Sequence, residues 1–125
     1  MKFRFARHTN NLEKLKSFYT TVLGLEVLGS FENHATYDGV FLGKQNLNWY
    51  LEFTQSDEIV EFNFNEDDIL VFYPETLVEY DSLIENINKN RINFTTSKNP
   101  YWNQNGKMVL DPDGYRIIIS NLKVK

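Results

Sequence analysis

What most constrains this chain is a pattern that occurs twice, about 65 residues apart: a short strand, a capped amphipathic helix, then short strands. In the first half Lys2 to His8 alternates. Phe3 and Phe5 point to one side, and Arg4, Ala6 and His8 to the other, which is the period of a half-buried strand. Asn10 and Glu13 have capping-box spacing. Leu12, Leu15, Phe18, Tyr19, Val22 and Leu23 then recur at helical spacing, and Gly24 supplies the left-handed residue that ends the helix. Strands are predicted over Glu26–Phe31, Thr36–Leu42 and Asn48–Thr54. The second half opens with a strand over Ile69–Tyr73, broken by Pro74. Thr76 caps a helix carried by Leu77, Tyr80, Leu83, Ile84 and Ile87 and closed by Asn90. Strands over Ile92–Thr95, Lys107–Leu110 and Tyr115–Asn121 follow, the last two joined by the turn Asp111-Pro112-Asp113-Gly114.

One helix on one small sheet buries too little surface to stand alone, so the two halves are expected to pack together. The expected fold is α+β: two tandem β-α-β-β-β modules forming one curved mixed sheet with a concave cavity. Residues 1–125 make a single domain, with module one at about 1–55, a polar connector at about 56–67 and module two at about 68–125.

Composition narrows the chemistry. There is no cysteine, which removes disulfides, thiolate metal sites and a cysteine nucleophile, and only two histidines exist. Thirteen cationic side chains against seventeen acidic ones leave a net charge of −4, which does not favour nucleic acid or an anionic membrane surface. The longest strictly apolar run, Ile69 to Tyr73, is far short of the ~20 residues that span a bilayer, and the charged start of the chain lacks a signal peptide's apolar stretch. A cytoplasmic location is expected.

Two segments look familiar. Leu12-Glu13 with Phe18-Tyr19 and Leu23-Gly24-Leu25-Glu26-Val27 resembles the opening helix of the vicinal oxygen chelate superfamily, the glyoxalases, bleomycin-resistance proteins and extradiol dioxygenases. Asp111-Pro112-Asp113-Gly114-Tyr115-Arg116 resembles the hairpin before its final strand. The resemblance implies a divalent metal held by one His or Glu from each of four strands. Carried over, those positions are Arg4, Glu52, Ile69 or Leu70, and Ile118, of which only Glu52 binds metals. Arg4 would repel a cation. The chain therefore reads as an atypical member with no metal or other cofactor. A divalent metal on a different ligand set is the alternative.

Strand alternation puts Tyr50, Glu52 and Thr54 on the concave side, with Arg4 and His8 of the first strand and Ile118 of the last. Arg4 is a candidate anchor for a carboxylate or phosphate and Glu52 a candidate general base; the opposing possibility is an ion pair across the wall. The segment Asn99-Pro100-Tyr101-Trp102-Asn103-Gln104-Asn105-Gly106 reads as a loop whose Tyr101 and Trp102 form a pocket lip and whose amides hydrogen-bond a ligand.

The expected function is binding of a small anionic or aromatic metabolite or drug by Arg4, His8, Tyr50, Tyr101, Trp102 and Ile118, with Glu52 as the one catalytic candidate. The alternatives are a metal-dependent glyoxalase-type lyase, isomerase or dioxygenase, and a non-catalytic interaction module with a filled cavity. The resemblance also implies a homodimer. Neither nucleic acid nor a membrane is expected as a partner.

Overall fold

The computed structural model describes residues 1–125. It divides into two compact units, Met1–Phe62 and Asn63–Lys125. The α+β class is as expected, and the strands hydrogen-bond into two sheets, one per unit.

In the first unit, β1 (Phe3–His8) is followed by α1 (Leu12–Thr21), β2 (Glu26–His34), β3 (Tyr37–Gly43) and β4 (Trp49–Gln55). The sheet order is β1-β4-β3-β2, mixed, with β1 parallel to β4 and the other neighbours antiparallel. Leu15 and Tyr19 of α1 are fully buried, as are Leu42 and, within 1% of exposure, Phe53 on the sheet. The Tyr19 and Phe53 rings lie 4.9 Å apart. Gly24 takes φ 70°, and just beyond it the Leu25 N–H donates back to the Tyr19 carbonyl at 3.0 Å.

The cap of α1 is Asn11, whose Oδ1 accepts from the Lys14 N–H at 3.1 Å, and not Asn10 as the spacing predicts. Asn10 is engaged elsewhere. Its amide exchanges two 2.7 Å hydrogen bonds with the backbone of Val60, which ties the connector to the helix entrance. A contact fifty residues away in sequence outweighs a local cap worth about 1 kcal/mol.

In the second unit, β5 (Ile69–Phe72), α2 (Leu77–Lys89), α3 (Pro100–Asn105), β6 (Gly106–Leu110) and β7 (Arg116–Ser120) occur in that order. The sheet is β5-β7-β6, with β5 parallel and β6 antiparallel to β7. Thr76 caps α2 as expected, accepting from the Glu79 N–H at 3.1 Å.

Two expectations need correcting here. Ile92–Thr95 is not a strand: a single bridge joins Thr95 to Met108. The Ile92 N–H folds back onto the Ile87 carbonyl at 3.1 Å and Arg91 takes φ 58°, so the chain spends these residues leaving the helix. The expected loop over 99–106 is instead the helix α3. Asn99 caps it by accepting from the Tyr101 N–H at 3.1 Å, and Pro100 sits in its first turn.

The β6–β7 turn is closed by Asp111, only 4% exposed. Its Oδ1 accepts from the backbone N–H of Asp113 at 2.9 Å and of Tyr115 at 3.0 Å. Asp111→Ala strands both donors and is expected to lower stability by about 2 kcal/mol in urea unfolding, while Asp111→Asn retains most of it. Equal stability of the two variants would contradict this.

No helix is long and apolar enough to cross a membrane.

Candidate functional site

On β4 the buried residues are Leu51 and Phe53, which leaves Tyr50, Glu52 and Thr54 on the sheet face away from α1. The parallel register sets Arg4 beside Tyr50, Ala6 beside Glu52 and His8 beside Thr54, so Arg4 and His8 share that face. Arg4 Nη1 lies 3.5 Å from Glu52 Oε1. The guanidinium carbon is 5.8 Å from the centre of the Tyr50 ring, and Tyr50 meets Phe41 edge-on at 5.9 Å. The Arg4 side chain is 49% exposed and that of Glu52 13%. A pair this open to water contributes at most about 1 kcal/mol. One contact occupies little of an arginine's five N–H donors, and the half-exposed side chain has others to offer.

His8 is held at both ring nitrogens. Nδ1 is 2.7 Å from Thr54 Oγ1 and Nε2 is 3.2 Å from Ser56 Oγ, while Tyr37 meets the ring edge-on at 5.5 Å. A ligand or metal would have to displace a hydroxyl to reach either nitrogen.

At the opposite end of the same face is a cavity of about 280 Å³. Lys2, Arg4 and Lys44 line it with Phe41, Trp49 and Tyr50, and no acidic residue takes part. Leu28 completes one wall by lying over Gly43, where an added Cβ would stand 3.1 Å from Leu28 Cδ1 and 3.0 Å from Tyr50 Cβ. Lys2, Lys44, Phe41 and Trp49 were not anticipated. Lys2 is detectable in principle, because it sits two residues before Arg4 on one strand period. Lys44 and Phe41 reach this place only through the β2-β3-β4 register.

In the second unit, Trp102 lines a cavity of about 360 Å³ with Asp67, Ile69, Ser97, Lys98 and Asn99. Tyr101 is half exposed and meets Trp102 edge-on at 4.9 Å. The amides expected to serve a ligand are mostly engaged at home. Asn103 Oδ1 accepts from the Ser97 N–H at 2.8 Å, and Nδ2 donates to the Ser97 carbonyl at 2.9 Å. Asn105 Nδ2 donates to the Tyr101 carbonyl at 2.9 Å. Ile118 has no exposed surface and lines neither cavity. It is a core side chain, because both faces of the central strand β7 are covered, as three consecutive buried isoleucines show.

The donor set does not fit a divalent metal. No group of three or more His, Asp or Glu side chains converges anywhere, and the carboxylate at the one matching position is paired with Arg4. Arg4 itself occupies another of the superfamily positions, and the other two carry isoleucine or leucine.

Fold and site together define the class: a glyoxalase/bleomycin-resistance, or vicinal oxygen chelate, fold without the superfamily's metal-ligand set. The structure superposes on the trypanothione-dependent glyoxalase I of Leishmania major with a TM-score of 0.72, at 24% identity over 96% of this chain and 85% of that one. The fosfomycin resistance protein FosX of Listeria monocytogenes gives 0.68 at 14% identity, covering 96% and 92%. Both show the fold alone. The chain belongs to the YycE-like family: its N-terminal domain family matches residues 3–54 and its C-terminal domain family residues 67–121. It is 35% identical to the uncharacterized protein YycE of Bacillus subtilis over 123 residues, 98% of this chain and 88% of that protein. A crystal structure of a B. subtilis YycE protein superposes with a TM-score of 0.85 at 34% identity, covering 96% of this chain and 88% of that one.

Proposed function

We propose that this protein binds a small anionic or aromatic molecule on the module-one face that carries Arg4, without a resident metal. The observation behind this is the half-exposed Arg4 guanidinium, set against the Tyr50 ring and sharing only one contact with Glu52. Such a group offers a charged, forked donor to a carboxylate or phosphate next to a flat apolar wall. Glu52 holds Arg4 in place and is the one acid near an incoming ligand; His8 and Tyr50 set the width of the face. Tyr101 and Trp102 offer a second aromatic surface in module two. TnmS3, an antibiotic binding protein from a Streptomyces species, has this fold with a TM-score of 0.67 at 18% identity, which illustrates binding without naming a ligand for this chain. With this function go the single domain over 1–125, the homodimer and the cytoplasmic location expected from the sequence.

The test is thermal melting against a panel of small carboxylates, phosphates, aromatics and antibiotics, with Arg4→Ala as the control. Binders are expected to raise Tm for the parent protein, and Arg4→Ala is expected to weaken anionic binders about ten-fold. A panel with no stabilising compound counts against binding. Near one equivalent of zinc, nickel, manganese or iron per chain, lost in Glu52→Ala, would replace this function with metalloenzyme chemistry.

A further inference from the structure

We infer that the module-one cavity, which Trp49 borders, takes an aromatic dianion, a single ring carrying a phosphate or two carboxylates, with its charge against Lys2, Arg4 and Lys44 and its ring against Phe41 and Tyr50. This rests on the binding function proposed above and names the ligand's chemistry and position.

The chain as a whole is acidic, at −4, yet three cations converge on one small cavity whose lining contains no acid. Glu52 answers one of them, by its contact with Arg4. Two positive charges remain in excess. Like charges held close repel one another, and a dianion removes that cost while gaining charge-assisted hydrogen bonds. A monoanion would leave the pocket with one cation over.

The cations also come from fixed places. Lys2 precedes β1 and Arg4 lies two residues on, on the same strand period. Lys44 opens the β3–β4 turn, where its carbonyl accepts from the Leu47 N–H at 3.1 Å, so its backbone is held by the turn. The wall between them is aromatic, with Phe41 edge-on to Tyr50 and Arg4 against the Tyr50 ring. The cavity, about 280 Å³, is near the ~300 Å³ lower bound of ligand pockets, which suits one ring and its charged group better than a fused polycycle.

The distribution of tryptophan makes this readable. The chain has two, and Trp49 lines this cavity while Trp102 lines the other. In the full chain carrying Trp102→Phe, Trp49 emission is followed while phenyl phosphate, phthalate, inorganic phosphate and benzyl alcohol are titrated at low salt. Phenyl phosphate or phthalate is expected to give a saturable change at an affinity at least about ten-fold better than either inorganic phosphate or benzyl alcohol. Lys44→Ala is expected to weaken it about ten-fold, and raising salt from about 0.05 M to about 0.5 M to weaken it further. Lys2 and Lys44 are exposed, so their alanine variants report charge and not folding.

Three results would overturn the inference: no saturable change with either aromatic dianion, an affinity no better than that of phosphate alone, or an affinity untouched in Lys2→Ala/Lys44→Ala. If panel compounds stabilise the protein but bind unchanged in that double variant, this assignment fails and small-molecule binding stands. If no compound stabilises it, both fail.

Discussion

Replacing Phe53 by alanine is expected to lower stability by about 4 kcal/mol, seen as a drop in Tm of more than about 10 °C. Phe53 is 1% exposed, packs on the Tyr19 ring at 4.9 Å, and lies under the Arg7 guanidinium at 5.2 Å. Removing the ring loses its transfer free energy and leaves a cavity between α1 and the sheet that the flanking strands cannot collapse into. The consequence reaches the other side of the sheet. Burial of Leu51 and Phe53 is what orients Tyr50 and Glu52 outward, since a one-residue slip of β4 would exchange the two faces. Phe53→Leu is expected to keep most of the stability and leave the Arg4 face intact. A loss under about 1 kcal/mol for Phe53→Ala would show that this packing does not hold β4 in register.

The second large effect is expected at Gly106, where β6 begins. Its φ of 176° is ordinary extended backbone, so the constraint is space alone. An added Cβ would stand 2.7 Å from the Ile119 carbonyl oxygen and 2.9 Å from Ile118 Cγ2. The first of these is backbone in the central strand and has no rotamer to adopt, so β7 itself must shift. Gly106→Val is therefore expected to cost about 3 kcal/mol, the upper end of overpacking. The shift would also disturb the hydrogen bond from Ser120 Oγ to the Asn105 carbonyl, now 2.8 Å, and with it the end of α3 near Trp102. Phe53 and Gly106 lie in different units, and the single domain proposed above makes a further demand on the pair: each variant must lower one common unfolding transition. Two separated transitions, each moved by one variant only, would mean that the modules fold independently.

Much of the fold is legible in the residues because its signals are local. Strand parity in β1 and β4, the helical spacing of Leu15, Phe18 and Tyr19, the Thr76 cap and the Asp111 turn each depend on neighbours within a few positions. Where local signals compete with distant partners, the sequence misleads. Asn10 has the spacing of a cap but bonds to Val60, and Ile92 to Thr95 has strand composition but only one bridge. The signal for α3 is Asn99-Pro100, a cap residue followed by the residue best suited to a helix's first turn.

The candidate site divides in the same way. Arg4, Glu52, Tyr50 and His8 share a face by alternation, a property of single strands that needs no knowledge of their neighbours. Which of them meet is a matter of register. Parallel pairing of β1 with β4 brings Arg4 to Glu52 and Tyr50 and hands both His8 nitrogens to hydroxyls, and the β3–β4 turn delivers Lys44 to Arg4 across forty residues of chain. Ile118 shows the limit from the other side: period two gives it a face, but burial depends on what covers that face. The sequence alone thus determined most of the element types, the parities of β1 and β4, the family resemblance and the lack of the superfamily's metal-ligand set, because each is written in residue identity and short-range spacing. The tertiary structure decided the convergence of three cations on an aromatic pocket, since side chains distant in sequence meet only once strand order and register are set.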